Sequence, residues 1–246
     1  MLDTNVKKLE FDVNESKFDQ LNLNSNLDLN INVKSYSSYR LEIIILPTCE
    51  NNIDITGTIN LNDNASLEVL LIDFSCKNVN VKVNGDLLDY SNAIYQVASV
   101  CDNLYSKKVY DIQLNAKGIK TNSLVKMNGV LKDGDLALLG ATNIIKGAKK
   151  SVARQEGRII NLSKNGKGQV SPMLNIYEND IKASHGAALG QVPIDTLFYL
   201  MSRGIDRNKA IKLITIGTLK PFINMLSNKK YVEELTNYID PSKESE

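Results

Sequence analysis

The chain of 246 residues contains one histidine, His185, which lies in the run S-H-G-A. An enzyme built on paired histidines, or a metal site with several histidine ligands, has no second imidazole to use. Residue alternation places Ile181, Ala183 and His185 on one face of an extended segment and Ser184 on the other, so a nucleophilic Ser–His pair is geometrically poor. Two roles stay open for His185. It is either a core-edge residue bonded to a carbonyl, or a metal ligand or proton handler at a subunit boundary.

The three cysteines, Cys49, Cys76 and Cys101, are scattered along the chain and form no C-x-x-C pair. Neither a zinc site nor a ferredoxin-type cluster is therefore encoded within this chain. We expect three small buried thiols in a protein of a reducing compartment.

The charges nearly balance, with 29 basic and 28 acidic residues. A chain without a global positive field is not expected to bind nucleic acid or an anionic membrane, so the predicted partners are proteins or small species. No apolar run approaches the length of a membrane span, and the first residues have no leader-like pattern. These features predict a cytoplasmic protein.

Basic residues are concentrated between positions 146 and 167, where Glu156 opposes them. Such a run is either a solvated outer face or a docking patch. The cluster consists of Lys146, Lys149, Lys150, Arg154, Arg158, Lys164 and Lys167.

From about residue 21 the apolar residues recur with a period of two, which predicts strands with one buried and one solvated face. Short breakers such as 51–52, 62–64 and 84–86 separate the runs and have the composition of turns. Sandwich, barrel and solenoid all remain compatible with this pattern. The spacing of the runs, roughly 20 to 30 residues, favours a β-solenoid for residues 1–192.

The period changes after Pro193, so residues 193–246 are predicted to form a helical C-terminal domain. Ile194, Leu197, Phe198 and Met201 lie at i, i+3, i+4 and i+7 of a first helix. Gly204 is expected to end that helix with Ile205 as the apolar C″ contact of a Schellman motif.

Asp206 is expected to cap a second helix, which Pro221 should break or kink. Val232, Leu235 and Ile239 mark a third helix, and residues 241–246 are expected to be a frayed tail. The first two helices are apolar on more than one face. Their stripes are either core, or a surface that a protein partner covers.

Part of the sequence resembles the SufB/SufD family, the scaffold subunits of iron–sulfur cluster assembly. The family's run P-x-L-x-I-x-x-x-D-[VI]-x-x-S-H-G-A-x-x-G corresponds to residues 172–190 here. The match continues through Leu197-Phe198-Tyr199-Leu200, Ser202-Arg203-Gly204-Ile205 and Ala210. The similarity covers about residues 120–217.

The resemblance implies a right-handed parallel β-helix with a C-terminal helical domain. It also implies a SufC-type ABC ATPase docked on the C-terminal helices, together with a SufB-type scaffold subunit or a second copy of this chain. The residues expected at the ATPase surface are Leu197, Phe198, Tyr199, Leu200, Arg203, Gly204, Ile205, Ala210, Leu213 and Ile214.

His185 falls on the histidine implicated in cluster assembly in SufD-type members. Members of the SufB type carry a cysteine shortly before the motif's proline, and residues 158–171 contain none, which favours a SufD-like role. Also, the N-terminal helical domain of longer members has no counterpart in this sequence.

We therefore expect a non-catalytic, SufD-like scaffold. His185 would be a tentative ligand of a transient iron–sulfur cluster shared with a partner chain, and the isolated chain would bind none. The alternative is a β-solenoid adaptor that docks an ATPase or another partner and handles no cluster. A β-helix enzyme acting on carbohydrate would need clustered carboxylates on one outer face, and the alternation contains no such recurrence.

Overall fold

A computed structural model describes residues 7–240, which form a parallel β-solenoid of about six turns followed by three helices. The predicted mainly-β solenoid with C-terminal helices is thus confirmed, while the expected tail at 241–246 lies outside the described residues. The strands are β1 (Lys7–Val13), β2 (Lys17–Asn22), β3 (Leu27–Val33), β4 (Ser38–Ile45), β5 (Ile53–Leu61), β6 (Ser66–Asp73), β7 (Val79–Leu87), β8 (Asn92–Ala116), β9 (Asn122–Ile144), β10 (Val152–Asn161), β11 (Lys167–Ile176) and β12 (Lys182–Gly190). The helices are α1 (Ile194–Ser202), α2 (Arg207–Ile223) and α3 (Lys229–Ile239).

The strands stack as two parallel walls, because each turn of the solenoid contributes one segment to each wall. The first wall contains β1, β3, β5, β7, the second halves of β8 and β9, and β11. The second wall contains β2, β4, β6, the first halves of β8 and β9, β10 and β12. Inward side chains of both walls form one continuous apolar core.

One corner of the solenoid repeats the same backbone turn in successive rungs. Tyr36, Asn64, Tyr90, Lys120 and Lys150 all have a positive φ, between 53° and 62°. The N–H of each donates to a carbonyl of the next rung, as from Asn64 to Asp89 at 2.8 Å. These bonds link one rung to the next, since an unpaired buried N–H would be costly. The spacing of 26 to 30 residues between these positions is the length of one rung.

Asparagine in the strands forms side-chain ladders along the outer face. Asn175 donates to Asn143 at 2.7 Å, Asn143 donates to Asn115 at 2.7 Å, and Asn115 donates to Asn84 at 3.0 Å. An in-register parallel stack places identical amides about 4.8 Å apart, where each can bond the next. The abundance of a residue that is poor in ordinary strands is therefore explained by the stacking.

The C-terminal helices fold back onto the outer face of the second wall. Leu219, Phe222, Ile223, Leu226 and Leu235 pack against outward side chains of β4, β6, β8 and β9. These strands are consequently buried on both faces, and their sequences read as continuous apolar runs such as 43–46 and 69–72.

Polar contacts also hold the helices to the wall. Ser227 donates to Glu42 at 2.8 Å, Arg40 donates to the carbonyl of Met225 at 2.6 Å, and Tyr238 donates to Asp102 at 2.6 Å. The positions of α2 and α3 are therefore fixed relative to the solenoid by both apolar packing and hydrogen bonds.

The predicted C-terminal signal of α1 and the predicted N-terminal cap of α2 are both found. Gly204 has a φ of +82°, and the N–H of Ile205 donates to the carbonyl of Leu200, as in a Schellman motif. Asp206 caps α2 by accepting from the N–H groups of residues 208 and 209. Pro221, however, lies inside α2, and the helix ends two residues later at Ile223. The helix continues because the residues around Pro221 are held against the wall.

A buried ion pair lies inside the solenoid. Lys108 Nζ is 2.9 Å from Asp73 Oδ2 and 2.7 Å from the carbonyl oxygen of Ser75, and both charged side chains are fully buried. Tyr110 donates its hydroxyl proton to the same Asp73 oxygen at 2.5 Å, and its oxygen accepts from the Ser99 hydroxyl at 2.8 Å. Burial, followed by the neighbouring carboxylate, raises the pKa of Tyr110, so its hydroxyl remains a donor to Asp73. Each charge is thus paired within the core.

We predict that Lys108→Met lowers the free energy of unfolding by about 3–5 kcal/mol, because it leaves the Asp73 carboxylate buried without its cation. Lys117→Met is the matched control, since Lys117 pairs with Asp86 at 2.6 Å on the surface. The control should cost about 1 kcal/mol or less. Urea unfolding followed by circular dichroism measures both values. Equal losses in the two variants would show that the buried pair contributes no more than a surface pair.

Candidate functional site

His185 lies in the middle of β12, the last strand of the second wall. Its register partner is Gln155 of β10, and the column continues inward through Val125 and Tyr95. Gln155 and Tyr95 are buried core positions, so His185 belongs to the inward-facing set. It shares this face with Ala183, as the alternation predicted. Within residues 7–240, β12 pairs only with β10, and His185 is therefore exposed at the open end of the solenoid.

Inward side chains of both walls line this open end, which we call the mouth. β12 contributes Ala183, His185, Ala187 and Leu189, and β11 contributes the opposite rim, including Val170. Small residues let the two rims pack against the rung below. A Cβ added at Gly157 would lie 2.5 Å from Val170 Cγ1, and one added at Gly168 would lie 2.6 Å from Leu189 Cδ1.

The floor of the mouth is polar. Gln155 is 2% exposed, and its Nε2 donates to Thr142 Oγ1 of the opposite wall at 2.8 Å. Gln155 Oε1 is buried and has no hydrogen-bond partner among the described residues. The inward position of Gln155, between Ala153 and Gly157, was readable from the alternation, but the sequence analysis did not identify it.

The outer face of β12 carries only small side chains next to charged ones. Ser184, Gly186 and Ala188 alternate outward and lie beside Arg154, Glu156 and Arg158 of β10. Lys126 of the next strand is 3.7 Å from Glu156. The remaining residues of the basic run lie elsewhere. One corner of the solenoid contains Lys146, Lys149 and Lys150. The other corner contains Lys164, and Lys167 begins β11 after it.

The cysteines are remote from the mouth. Cys101 is six residues along β8 from Tyr95, and β8 is three strands away from β12. The separation between Cys101 and His185 is therefore on the order of 20 Å. Burial raises the pKa of Cys101 and of Cys76, and the adjacent Asp102 raises that of Cys76 further. These two thiols therefore stay protonated near neutral pH and are poor iron ligands in this fold.

The expected burial of the cysteines is found for Cys49 and Cys101, while Cys76 is partly exposed. No group of three or more His, Cys, Asp or Glu side chains in the described part of the chain is placed to hold a metal ion. Any metal bound at His185 would need further ligands from outside this part of the chain.

The first two helices present an apolar surface beside the mouth. α1 has no buried residue, and Phe198 and Tyr199 are 73% and 56% exposed. Arg203 lies over the ring of Tyr199 at 5.4 Å, a cation–π contact. Leu213 of α2 is also exposed.

The other residues of the expected docking set are less accessible. Leu197, Leu200, Ile205 and Ile214 are partly buried and Ala210 is fully buried, although Gly204 is exposed. No helix among residues 7–240 is long and apolar enough to cross a membrane.

Fold and site together define a parallel β-solenoid protein whose one histidine lies on an open terminal strand. The sequence profile described as "SUF system FeS cluster assembly, SufBD core domain" matches residues 50–218, which is more than half of the chain. The chain therefore belongs to the SufBD core family of iron–sulfur cluster assembly proteins, as the resemblance of its motif indicated.

Characterised relatives agree with this assignment. The iron–sulfur cluster assembly protein SufD of Bacillus subtilis is 36% identical over 124 residues, which are 50% of this chain and 28% of that protein. SufD of Escherichia coli is 30% identical over 98 residues, which are 40% of this chain and 23% of that protein. The matched region thus spans less than a third of the length of these relatives.

Proposed function

We propose that this chain is a non-catalytic, SufD-like scaffold subunit of an iron–sulfur cluster assembly complex. The observation that carries the proposal is the position of His185, exposed at the open end of the solenoid within the family's motif. Two matched relatives bear the name SufD. The absence of a cysteine between residues 158 and 171 favours the same role over that of a SufB-type subunit.

In this proposal the cluster is cargo that forms at a heteromeric interface. His185 supplies one imidazole ligand or handles a proton, and a partner chain supplies the thiolates that hold most iron–sulfur clusters. The isolated chain then holds no stable cluster. Cytoplasmic location fits thiols that are free rather than paired.

The free edge of β12 is the proposed contact with the second scaffold subunit. An unpaired strand edge exposes N–H and C=O groups that another strand can bind by β-augmentation. At the opposite end of the solenoid, the edge strands carry charges such as Lys8, Glu10, Lys17 and Asp19, which discourage pairing. After Lys182, β12 has no acidic residue, lysine or arginine in its sequence ASHGAALG.

The charges beside this edge favour a different protein over a second copy of this chain. The local charge is positive. Three basic side chains lie here, Arg154, Arg158 and Lys182, against one acidic side chain, Glu156, which already pairs with Lys126. The small outward residues of β12 leave space for the two arginines to reach a neighbouring strand. Because a two-fold symmetric interface would bring the same positive patch against itself, a SufB-type subunit with acidic residues on its pairing strand is the better partner.

The second proposed contact is the exposed apolar surface of α1 and α2, which fits a SufC-type ABC ATPase. Phe198 and Tyr199 are large aromatic side chains of the kind that dominate protein interfaces. The alternative function, an adaptor that binds a partner without handling a cluster, shares this surface. The two functions differ in whether His185 is needed.

We predict that His185→Ala abolishes most cluster loading of the whole complex while the chain folds and assembles normally. Its side chain is exposed, so the free energy of unfolding should fall by about 1 kcal/mol or less. Iron and sulfide per complex are measured after anaerobic co-expression with the ATPase and the partner scaffold.

A second variant, His185→Cys, separates two chemical roles. A thiolate can ligate iron but does not exchange protons near neutral pH as imidazole does, so partial rescue indicates ligation. Normal loading of His185→Ala would contradict the scaffold proposal and favour the adaptor.

We also predict that Phe198→Asp with Tyr199→Asp weakens ATPase binding by about thirtyfold or more, the effect of losing about 2 kcal/mol at an interface hot spot. The matched control is Leu104→Asp with Tyr105→Asp, an exposed apolar pair on the β8 corner, 56% and 87% accessible. Titration calorimetry with the purified ATPase measures both. If the control weakens binding as much as the α1 variant, the docking surface is not α1.

A further inference from the structure

The floor of the mouth contains a hydrogen-bond acceptor that the fold leaves unused. Gln155 is almost fully buried, and its amide nitrogen is held by Thr142 at 2.8 Å. This bond holds the amide against the opposite wall, and Oε1 is the group without a partner among the described residues. Leaving a buried carbonyl oxygen unpaired is costly, and such a group in a native protein calls for an explanation.

The residue best placed to satisfy this oxygen is His185, which is not bonded to Gln155 in the structure and would reach Oε1 by a change of side-chain rotamer. The two residues are register neighbours on adjacent parallel strands and face the same side, so their side chains stack about 4.8 Å apart along the solenoid. No strand in the described range lies beyond β12 to hold the imidazole from the other side. Gln155 Oε1 packs close to Gly140 of the opposite wall, where an added Cβ would lie 3.4 Å from it.

We propose that Gln155 is the positioning residue for His185, and that its Oε1 accepts one imidazole N–H. The other ring nitrogen then carries the lone pair and faces out of the mouth. Histidines that bind metals are generally fixed in this way, by an acceptor on the nitrogen that does not bind the metal. Thr142 acts one step further away, because its hydrogen bond holds the Gln155 side chain in place across the solenoid.

The consequence for cluster assembly rests on the proposed function, whereas the hydrogen bond itself does not. A fixed tautomer would keep the lone pair of His185 directed at the incoming cluster or partner chain. Without Gln155, the exposed imidazole would rotate freely and spend part of its time with the wrong nitrogen protonated.

The test uses the whole chain with ¹⁵N-labelled histidine, whose one imidazole gives an unambiguous pair of ring-nitrogen resonances. At a pH where the ring is neutral, the ¹⁵N shifts report the ratio of the two tautomers. We expect one tautomer to dominate in the natural sequence. Gln155→Leu should change the ratio by about fivefold or more, which corresponds to one hydrogen bond of about 1 kcal/mol. Gln155→Glu, which keeps an acceptor oxygen, should preserve the dominant tautomer.

Gln96→Leu is the matched control. Gln96 also has a buried amide oxygen without a described partner, but its column runs through Lys126 and Glu156 to Gly186 on the outer face. This variant should leave the tautomer ratio unchanged. If Gln155→Leu fails to fold, Thr142→Val provides the same test, because it frees the amide without removing it.

An unchanged ratio in Gln155→Leu, or in Thr142→Val where that variant replaces it, would overturn the proposal. A shift of equal size in Gln96→Leu would do the same. Because the sample contains no iron, failure here leaves the cluster proposal standing, and normal cluster loading of His185→Ala would leave this hydrogen bond standing.

Discussion

The structure depends on the hydrogen bonding of a parallel solenoid, in which each rung satisfies the backbone of the next. Strands in the interior of the stack are paired on both sides, and the corner turns add further bonds between rungs. The last rung has no such partner within residues 7–240, and its strand β12 therefore offers a row of free N–H and C=O groups. His185 lies in this strand. The residue with the most distinctive chemistry is thus found on the strand whose outer edge is unpaired within residues 7–240.

The buried polar groups inside the solenoid also differ in whether they are hydrogen-bonded. In the middle, Asp73, Lys108 and Tyr110 satisfy one another, and such a network stabilises a core only when each member is paired. Nearer the mouth, Gln155 Oε1 and Ser123 Oγ have no partner among the described residues, and Tyr95 OH, on the same strand as Lys108 and Tyr110, has none either. Burial raises the pKa of Tyr95, so this hydroxyl remains a neutral donor. The rungs next to the mouth therefore contain buried polar groups that the fold leaves unpaired within residues 7–240.

Much of this fold could be predicted from sequence, because alternation and turn residues carry direct physical information. The face of His185, the Gly204 end of α1 and the Asp206 cap followed from local rules. The rung repeat was visible only as an approximate spacing. Its determinant is a backbone turn at positive φ, and residues such as Tyr36 and Lys120 do not signal it by type.

Features that depend on tertiary contacts were harder to predict. Pro221 was expected to break or kink α2, but the helix continues two residues further where it packs on the second wall. The apolar runs 43–46 and 69–72 did signal strands buried on both faces, although the sequence does not say which helices cover them. The Gln155 side chain was also only partly predictable. Its inward direction follows from alternation, but its hydrogen bond to Thr142 joins the two walls and is not visible in the sequence.

The central claim is that β12 is the edge at which this chain joins a second scaffold subunit. Hydrogen–deuterium exchange, followed by mass spectrometry, tests it directly when the chain alone is compared with the co-purified complex. In a parallel strand about half of the N–H groups point to each neighbour, so those of β12 that point away from β10 should exchange fast in the free chain. We predict that residues 182–190 become strongly protected in the complex while β5 and β7 in the middle of the solenoid do not change. Unchanged exchange in β12, with protection elsewhere, would contradict the account.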